Sequence, residues 1–381
     1  MNRLDKDYLN LCKNILDNGV KKNDRTGTGT MSLFGNMIKY NFEDGKFPIL
    51  TTKKMAWKSI VTELLYFLNG RTDLRYLIDN DCHIWDGDAY KNYCNHVKSN
   101  DSIWNEWMRL NNDGSLSMYT KNEFIEKIKI DDNFSKKWGE MISIYGKSWR
   151  NWSNGVHGLR KLESNEQEES YNKYIYEEYK GVDQIKNLIN ELKNNPDSRR
   201  LMVNAWKVDE INNYILPPCH FNFQCYTEIM KPMERYNRFN KYATENSLDV
   251  TGMSTDQAME HYNFPTRKLS LLYSSRSIDI PLGFPFNISS YGLLLEIISI
   301  IVNMLPNDLI CSMGDSHIYL NQIDGIKEQI NRESFELPKL DISKHLKKIR
   351  NIDEFLDKCT IDDFKLIGYK YHPSIKIPLS N

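Results

Sequence analysis

Apolar positions recur at helical spacing over residues 4–18, where Leu4, Tyr8, Leu11, Cys12, Ile15 and Leu16 share one face ahead of Gly19. A strand is predicted at 31–42, then a buried helix at 56–68 that carries one internal carboxylate, Glu63. Apolar runs at 201–206, 269–273 and 309–313 read as strands, and 288–305 reads as a helix. Strands and helices in one continuous order predict a single α/β (α+β) catalytic domain over 1–381. Three polar stretches, roughly 88–137, 151–178 and 231–267, read as surface insertions, the first and third with short helices of their own.

One alternating segment stands apart. It begins Leu216-Pro217-Pro218-Cys219-His220 and runs to Tyr226. Proline fixes φ and removes a donor, so Pro217 and Pro218 lie outside any helix or central strand. Cys219 is thereby set at the mouth of a strand beginning near Phe221. A thiol there suits a nucleophile, although a lone cysteine is more often a buried structural one.

Composition narrows the chemistry. Hydrophobic residues at 40% and aromatics at 12% indicate a folded chain. A formal net charge of −1 gives no global field for nucleic acid or an anionic membrane, so an anionic ligand needs a local arginine cluster. The seven cysteines are odd in number and form no CxxC pair, which favours a reducing compartment and argues against a zinc ribbon. No metal site is expected. The first residues lack the apolar centre of a secretory signal, and the run 297–305 is far too short for a membrane span. A cytoplasmic protein is expected.

Arginines do cluster with polar turns. Asn23–Thr30 is a glycine-bearing loop holding Arg25, and Asp197-Ser198-Arg199-Arg200 puts two guanidinium groups before a strand. Such pairs suit bidentate capture of a phosphate, or are simply solvated. Arg276, Ser277 and Asp279 end another strand. Leu282-Gly283-Phe284-Pro285-Phe286-Asn287 then delivers an asparagine to the start of the apolar helix. His317 and Tyr319, at i and i+2, share a strand face.

With Asp24-Arg25-Thr26-Gly27, Thr51-Thr52-Lys53-Lys54, Glu63-Leu64-Leu65, Ile84-Trp85-Asp86, Tyr145-Gly146 and the segments above, in this order, the chain resembles the thymidylate synthase family. The tail Gly368–Lys376 matches as well. The resemblance implies a mixed sheet flanked by helices, and a homodimer with sheets back to back. It implies dUMP as substrate and 5,10-methylenetetrahydrofolate as co-substrate, with no nucleic acid or membrane required. Cys219 matches the nucleophile that attacks C6 of the pyrimidine, and Arg276 the cation that activates it and touches the phosphate. Arg25, with Arg199 and Arg200 from the partner subunit, would complete the phosphate site. Glu63 and Tyr145 would act through water in proton transfer. Asp279 would hold the pterin ring beside Lys53, Ile84, Trp85, Leu282, Gly283 and Phe286. His317 and Tyr319 would bond the sugar hydroxyl, with Ser277 and Gln224 also on the substrate. Asn287 would select uracil over cytosine, because its amide complements O4 and N3–H.

The chain departs from the family at its end. Synthases close the site with a small and an aliphatic residue, whereas this chain ends Pro378-Leu379-Ser380-Asn381. Ser148 also stands where synthases usually carry glutamine. Both changes admit or position water at the exocyclic methylene. They favour a dUMP hydroxymethylase, of the kind found in certain bacterial viruses and acting in the host cytoplasm, over a synthase making dTMP and dihydrofolate. The retained Trp85 favours the synthase. A cysteine hydrolase using Cys219 and His220 is the reading outside the family. It is a poor one, since adjacent strand residues point to opposite faces.

Overall fold

The N-terminal helix runs Arg3–Asn18, and Asn2 caps it by accepting the Asp5 N–H at 2.8 Å. Its apolar stripe of Leu4, Tyr8, Leu11, Cys12 and Ile15 is buried, as the spacing predicts. The computed structural model describes residues 1–98, 106–111, 113–141, 144–153, 158–161, 174–177 and 181–380, and the backbone alone for 158–161, 174–177, 212 and 213. The chain divides into two compact units. The first comprises 1–64, 188–202 and 219–381, and the second 65–187 and 203–218.

The centre of the first unit is a mixed sheet. The strands in chain order are β1 (Val20–Lys22), β2 (Thr30–Asn41), β3 (Met202–Asn204, of which Met202 alone falls in the first unit), β4 (His220–Ile229), β5 (Arg267–Asp279) and β6 (Leu305–Tyr319). Their spatial order is β1-β2-β6-β5-β4-β3. β5 and β6 are parallel, while β2 with β6 and β4 with β5 are antiparallel. A parallel pair needs a crossover, and the helix Gly283–Val302 provides it.

That helix begins earlier and ends sooner than the apolar run predicts. It opens at Gly283, and Pro285 is tolerated because first-turn N–H groups have no intrahelical partner in any case. Asn287 therefore lies inside the helix, rather than at its N-terminus. The helix stops where Asn303 adopts a left-handed φ of 53°. Leu305 belongs to β6, which continues through Gly314 to Tyr319. The helix is long and apolar enough to cross a membrane, but most of it is buried in the core, which explains why it is apolar on every side.

The polar stretches are more than loops. Within the second unit, helices Asp86–Val97, Lys121–Ile130 and Asp132–Trp138 enclose Tyr93, Phe124, Phe134 and Trp138. The Tyr93 ring lies 5.2 Å from Trp138 and 5.4 Å from Phe124, centroid to centroid. In the first unit, helices Pro232–Glu245 and Thr255–His261 cover Met230, Phe239, Ala258, Met259 and Phe264. Each cluster is small enough to be diluted by surrounding Asn and Lys, so the average composition reads as surface. The middle stretch contributes a hairpin, Gly158–Lys161 with Tyr174–Glu177; most of its other residues lie outside those described.

Candidate active site

Cys219 immediately precedes β4, and the register of β4 on β5 shifts between His220 and Asn222. Such a bulge re-aims side chains at a strand end. The Arg276 N–H on β5 donates to the Cys219 carbonyl at 2.9 Å, which sets the thiol and the guanidinium on neighbouring strands. Cys219 forms no disulfide and is half-buried, and Arg276 is exposed. On the other side of β5, Gly314 lets β6 approach Arg276, because a Cβ there would lie 2.7 Å from the Arg276 carbonyl oxygen.

His220 has a support that its sequence position did not reveal. Its Nδ1 lies 2.8 Å from the Tyr291 hydroxyl, with the rings perpendicular at 5.4 Å. Tyr291 in turn stacks on Tyr273 at 4.1 Å and 2°. Burial pushes the imidazole down to about 3, so at neutral pH it is an uncharged hydrogen-bonding group. Glu63, buried in the helix Trp57–Leu68, is close enough for its charge to raise the Tyr291 phenol further, after burial.

The parallel register of β5 and β6 places His317 opposite Asp279 and Asp315 opposite Ser277. His317 is buried, 3.2 Å from an Asp315 carboxylate oxygen, with the Tyr319 ring at 5.1 Å. Asp279 accepts the Leu282 N–H at 2.8 Å and the Gln322 amide at 2.9 Å. Burial raises its carboxyl, and these bonds oppose the shift, followed by His317 and Lys53. Lys53 is pushed down to about 8 by burial, against the pull of Asp279. Its ammonium donates to the Pro281 carbonyl at 2.5 Å, so it is a buried brace beneath the 279–283 turn. Asp5 fixes the segment before it, accepting the hydroxyls of Thr51 at 2.7 Å and Thr52 at 2.9 Å.

Arg25 is exposed on a loop closed by Asp24, whose carboxylate accepts from Thr26 Oγ1 at 2.6 Å and the Gly29 N–H at 2.7 Å. Electrostatics bring these segments together at Tyr319. Its phenol is raised first by burial, then by Asp279 and Asp24, and by Cys219, while Arg25 lowers it. Arg199 and Arg200 are exposed just before β3, and neighbouring Asp197 is taken by a two-pronged bond from Arg267 at 2.7 and 2.9 Å. Gln224 is exposed on β4. Ser277, Leu282, Gly283, Phe286 and Asn287 are half-buried around the β5 end and the helix start.

In the second unit, Trp85 and Tyr145 are buried with ring centroids 6.3 Å apart, and Phe67 lies 5.0 Å from Tyr145. Ile84 is more exposed. Ser148 is 2% exposed, and its side chain hydrogen-bonds the Tyr214 phenol.

The C-terminal tail is seated on the first unit. The His372 N–H donates to the Thr51 carbonyl at 2.9 Å, and Arg332 donates to the carbonyls of Thr52 and Pro373. Ser380 is buried, with its hydroxyl against Asn321; Asn381 lies outside the described residues. Sequence reasoning missed Asn321, Gln322 and Tyr291, which carried no local signal, and it weighed His220 only as a base beside Cys219. Among the described residues there is no group of His, Cys, Asp and Glu able to hold a metal.

A family model described as thymidylate synthase matches residues 6–381. The chain is 37% identical over 369 residues to the thymidylate synthase of Mycoplasma mobile, covering 97% of each chain. It is 37% identical over the same length to that of Phytoplasma mali, again covering 97% of each. Over 382 residues it is 35% identical to that of Listeria monocytogenes, covering 98% of this chain and 99% of the relative. The polar stretches thus fall within the length these relatives share.

Proposed function

This chain belongs to the thymidylate synthase family, and from that membership we propose that it methylates dUMP at C5, using methylenetetrahydrofolate to form dTMP and dihydrofolate. The observation that carries the reading is the half-buried Cys219 thiol joined through its own carbonyl to Arg276. In this reading the thiolate adds to C6, and C5 takes up the one-carbon unit. The C5 proton leaves as the bond from the one-carbon unit to the folate nitrogen breaks, which gives the exocyclic methylene and tetrahydrofolate; hydride from that tetrahydrofolate reduces the methylene to methyl, leaving dihydrofolate, and the thiolate departs from C6. Arg276 and Arg25 meet the phosphate, Asn287 reads the base, and His317 with Tyr319 holds the sugar. Asp279 faces the pterin, and Glu63 moves protons through water. Incubation with dUMP and methylenetetrahydrofolate tests this by the absorbance rise of dihydrofolate.

The reading departs from the hydroxymethylase expectation for a physical reason. Two of the three polar residues behind that expectation are engaged within the protein, Ser380 with Asn321 and Ser148 with Tyr214, and the third, Asn381, lies outside the described residues. A satisfied, buried hydroxyl is a poor means of drawing water to a reacting carbon. Relatives named thymidylate synthase over nearly the full length support methylation as well. Hydroxymethylation to 5-hydroxymethyl-dUMP is the second reading, and the chain end Leu379-Ser380-Asn381 favours it.

We further propose a homodimer working in the cytoplasm. Phe34, Met37 and Tyr226 on the sheet strands are 83%, 62% and 65% exposed, a large apolar surface for a single chain to leave in water. A second copy set back to back would cover it and would bring Arg199 and Arg200 to the partner's phosphate site. Sedimentation of the purified protein as a monomer at micromolar concentration would remove that proposal.

A further inference from the structure

Gln322 closes the short 3-10 turn Leu320–Gln322 that follows β6 and is 1% exposed. Its amide has only one workable orientation. Oε1 accepts the Tyr319 N–H at 3.1 Å. Nε2 then has two hydrogens for two acceptors, Asp279 Oδ2 at 2.9 Å and the Pro378 carbonyl at 3.0 Å. A flipped amide would set a backbone N–H against an NH2 group, and an oxygen against two oxygens. Beside it, Asn321 meets Ser380 Oγ at 3.2 Å.

The tail is therefore held here by hydrogen bonds. Ser380 is 8% exposed, whereas the apolar Leu379 before it is 63% exposed. An ionised carboxylate has about four acceptor sites. Asp279 uses one on the Leu282 N–H and one on Gln322, so it keeps acceptor capacity for a ring N–H donor without releasing the tail.

We propose that Gln322, seconded by Asn321, is a positioning residue that sets product specificity by tying the Asp279 carboxylate to the C-terminal tail. The inference rests on the reading above, in which Asp279 faces the folate. When Asp279 engages the folate ring, the same carboxylate holds Gln322 in the orientation that seats Pro378. The carboxylate that meets the folate ring and the amide that seats the tail over the one-carbon centre thus form one hydrogen-bonded unit.

The test uses the full chain with Gln322→Ala, Gln322→Glu and Ser380→Ala. Hydrogen exchange of residues 374–380 is followed without ligand and with dUMP plus methylenetetrahydrofolate, and the nucleotide product is weighed. The Gln322 variants are expected to speed tail exchange. They should also raise the ratio of 5-hydroxymethyl-dUMP to dTMP by roughly five- to thirtyfold, the equivalent of one or two lost hydrogen bonds, with KM for dUMP unchanged. Ser380→Ala, at the chain end and away from the core, should move both readouts the same way by a smaller factor. Wild-type exchange and product ratio in the Gln322 variants would overturn the proposal. So would faster tail exchange with an unchanged product ratio. If the wild-type chain forms no dTMP while its tail exchange still depends on Gln322, the methylation reading fails and the tie survives only as a structural contact.

Discussion

The Arg276 N–H donates to the Cys219 carbonyl at 2.9 Å, so the candidate nucleophile and its candidate activating cation are fixed by backbone rather than by flexible side chains. Truncating either side chain leaves that bond in place. Cys219→Ser is expected to lower turnover on the order of 10⁴-fold or more while dUMP still binds. Arg276→Ala is expected to lower kcat/KM for dUMP by roughly 30-fold or more, the scale of losing a charge-assisted contact to a ligand anion. Steady-state kinetics with equilibrium dUMP binding check both. An active Cys219→Ser variant would remove the thiol from the chemistry.

Asn287 lies within the helix Gly283–Val302 and is half-buried. An aspartate there, once protonated, reverses the donor and acceptor pattern offered to a pyrimidine. Asn287→Asp should lose activity on dUMP and gain it on dCMP, shifting the preference by up to about 10⁴-fold. Competition between the two nucleotides, read by product mass, measures it.

Gly314 stands where a Cβ would be 2.7 Å from the Arg276 carbonyl oxygen, and backbone cannot yield as a side-chain tip can. Gly314→Ala should destabilise the protein by about 1–3 kcal/mol. It should also depress activity through the displaced Arg276. Urea denaturation with kinetics at a temperature where the variant is folded separates the two effects.

His220 sets a pH signature. Its pKa falls from 6.5 to about 3 on folding, so the unfolded chain binds the extra proton across that window. Its contribution is fully present above pH 6.5 and is lost as pH falls toward 3, by at most about 1.4 kcal/mol per pH unit. Glu296 acts with the opposite sign. Its buried carboxyl is pushed up to about 7 from 4.5, so it adds stability as pH falls between those values. The difference between wild type and His220→Gln isolates the histidine. Stability of the wild type should fall relative to the variant from pH 7 to pH 5. Parallel curves would contradict the neutral imidazole.

The legible features were those carried by local pattern. The stripe of the first helix, the middle of every central strand except β1 and the proline-set entry to Cys219 follow from spacing and from backbone rules. What stayed hidden depends on contacts distant along the chain. Asp279 meets Gln322, Tyr291 meets His220 and Ser380 meets Asn321 only because β5, β6 and the long helix lie side by side. The seat of the polar tail was hidden for the same reason. Serine reads as solvent-seeking until a partner 59 positions away satisfies it. The start of the long helix was misplaced because Pro285 reads as a breaker, although the first turn accepts it.

The central claim is that Cys219 and its neighbours methylate dUMP. The purified chain should be given dUMP and methylenetetrahydrofolate, with dihydrofolate absorbance followed and the nucleotide weighed in the same sample. The account predicts dihydrofolate and dTMP in equal amounts. A 5-hydroxymethyl-dUMP product with no rise in dihydrofolate would contradict it.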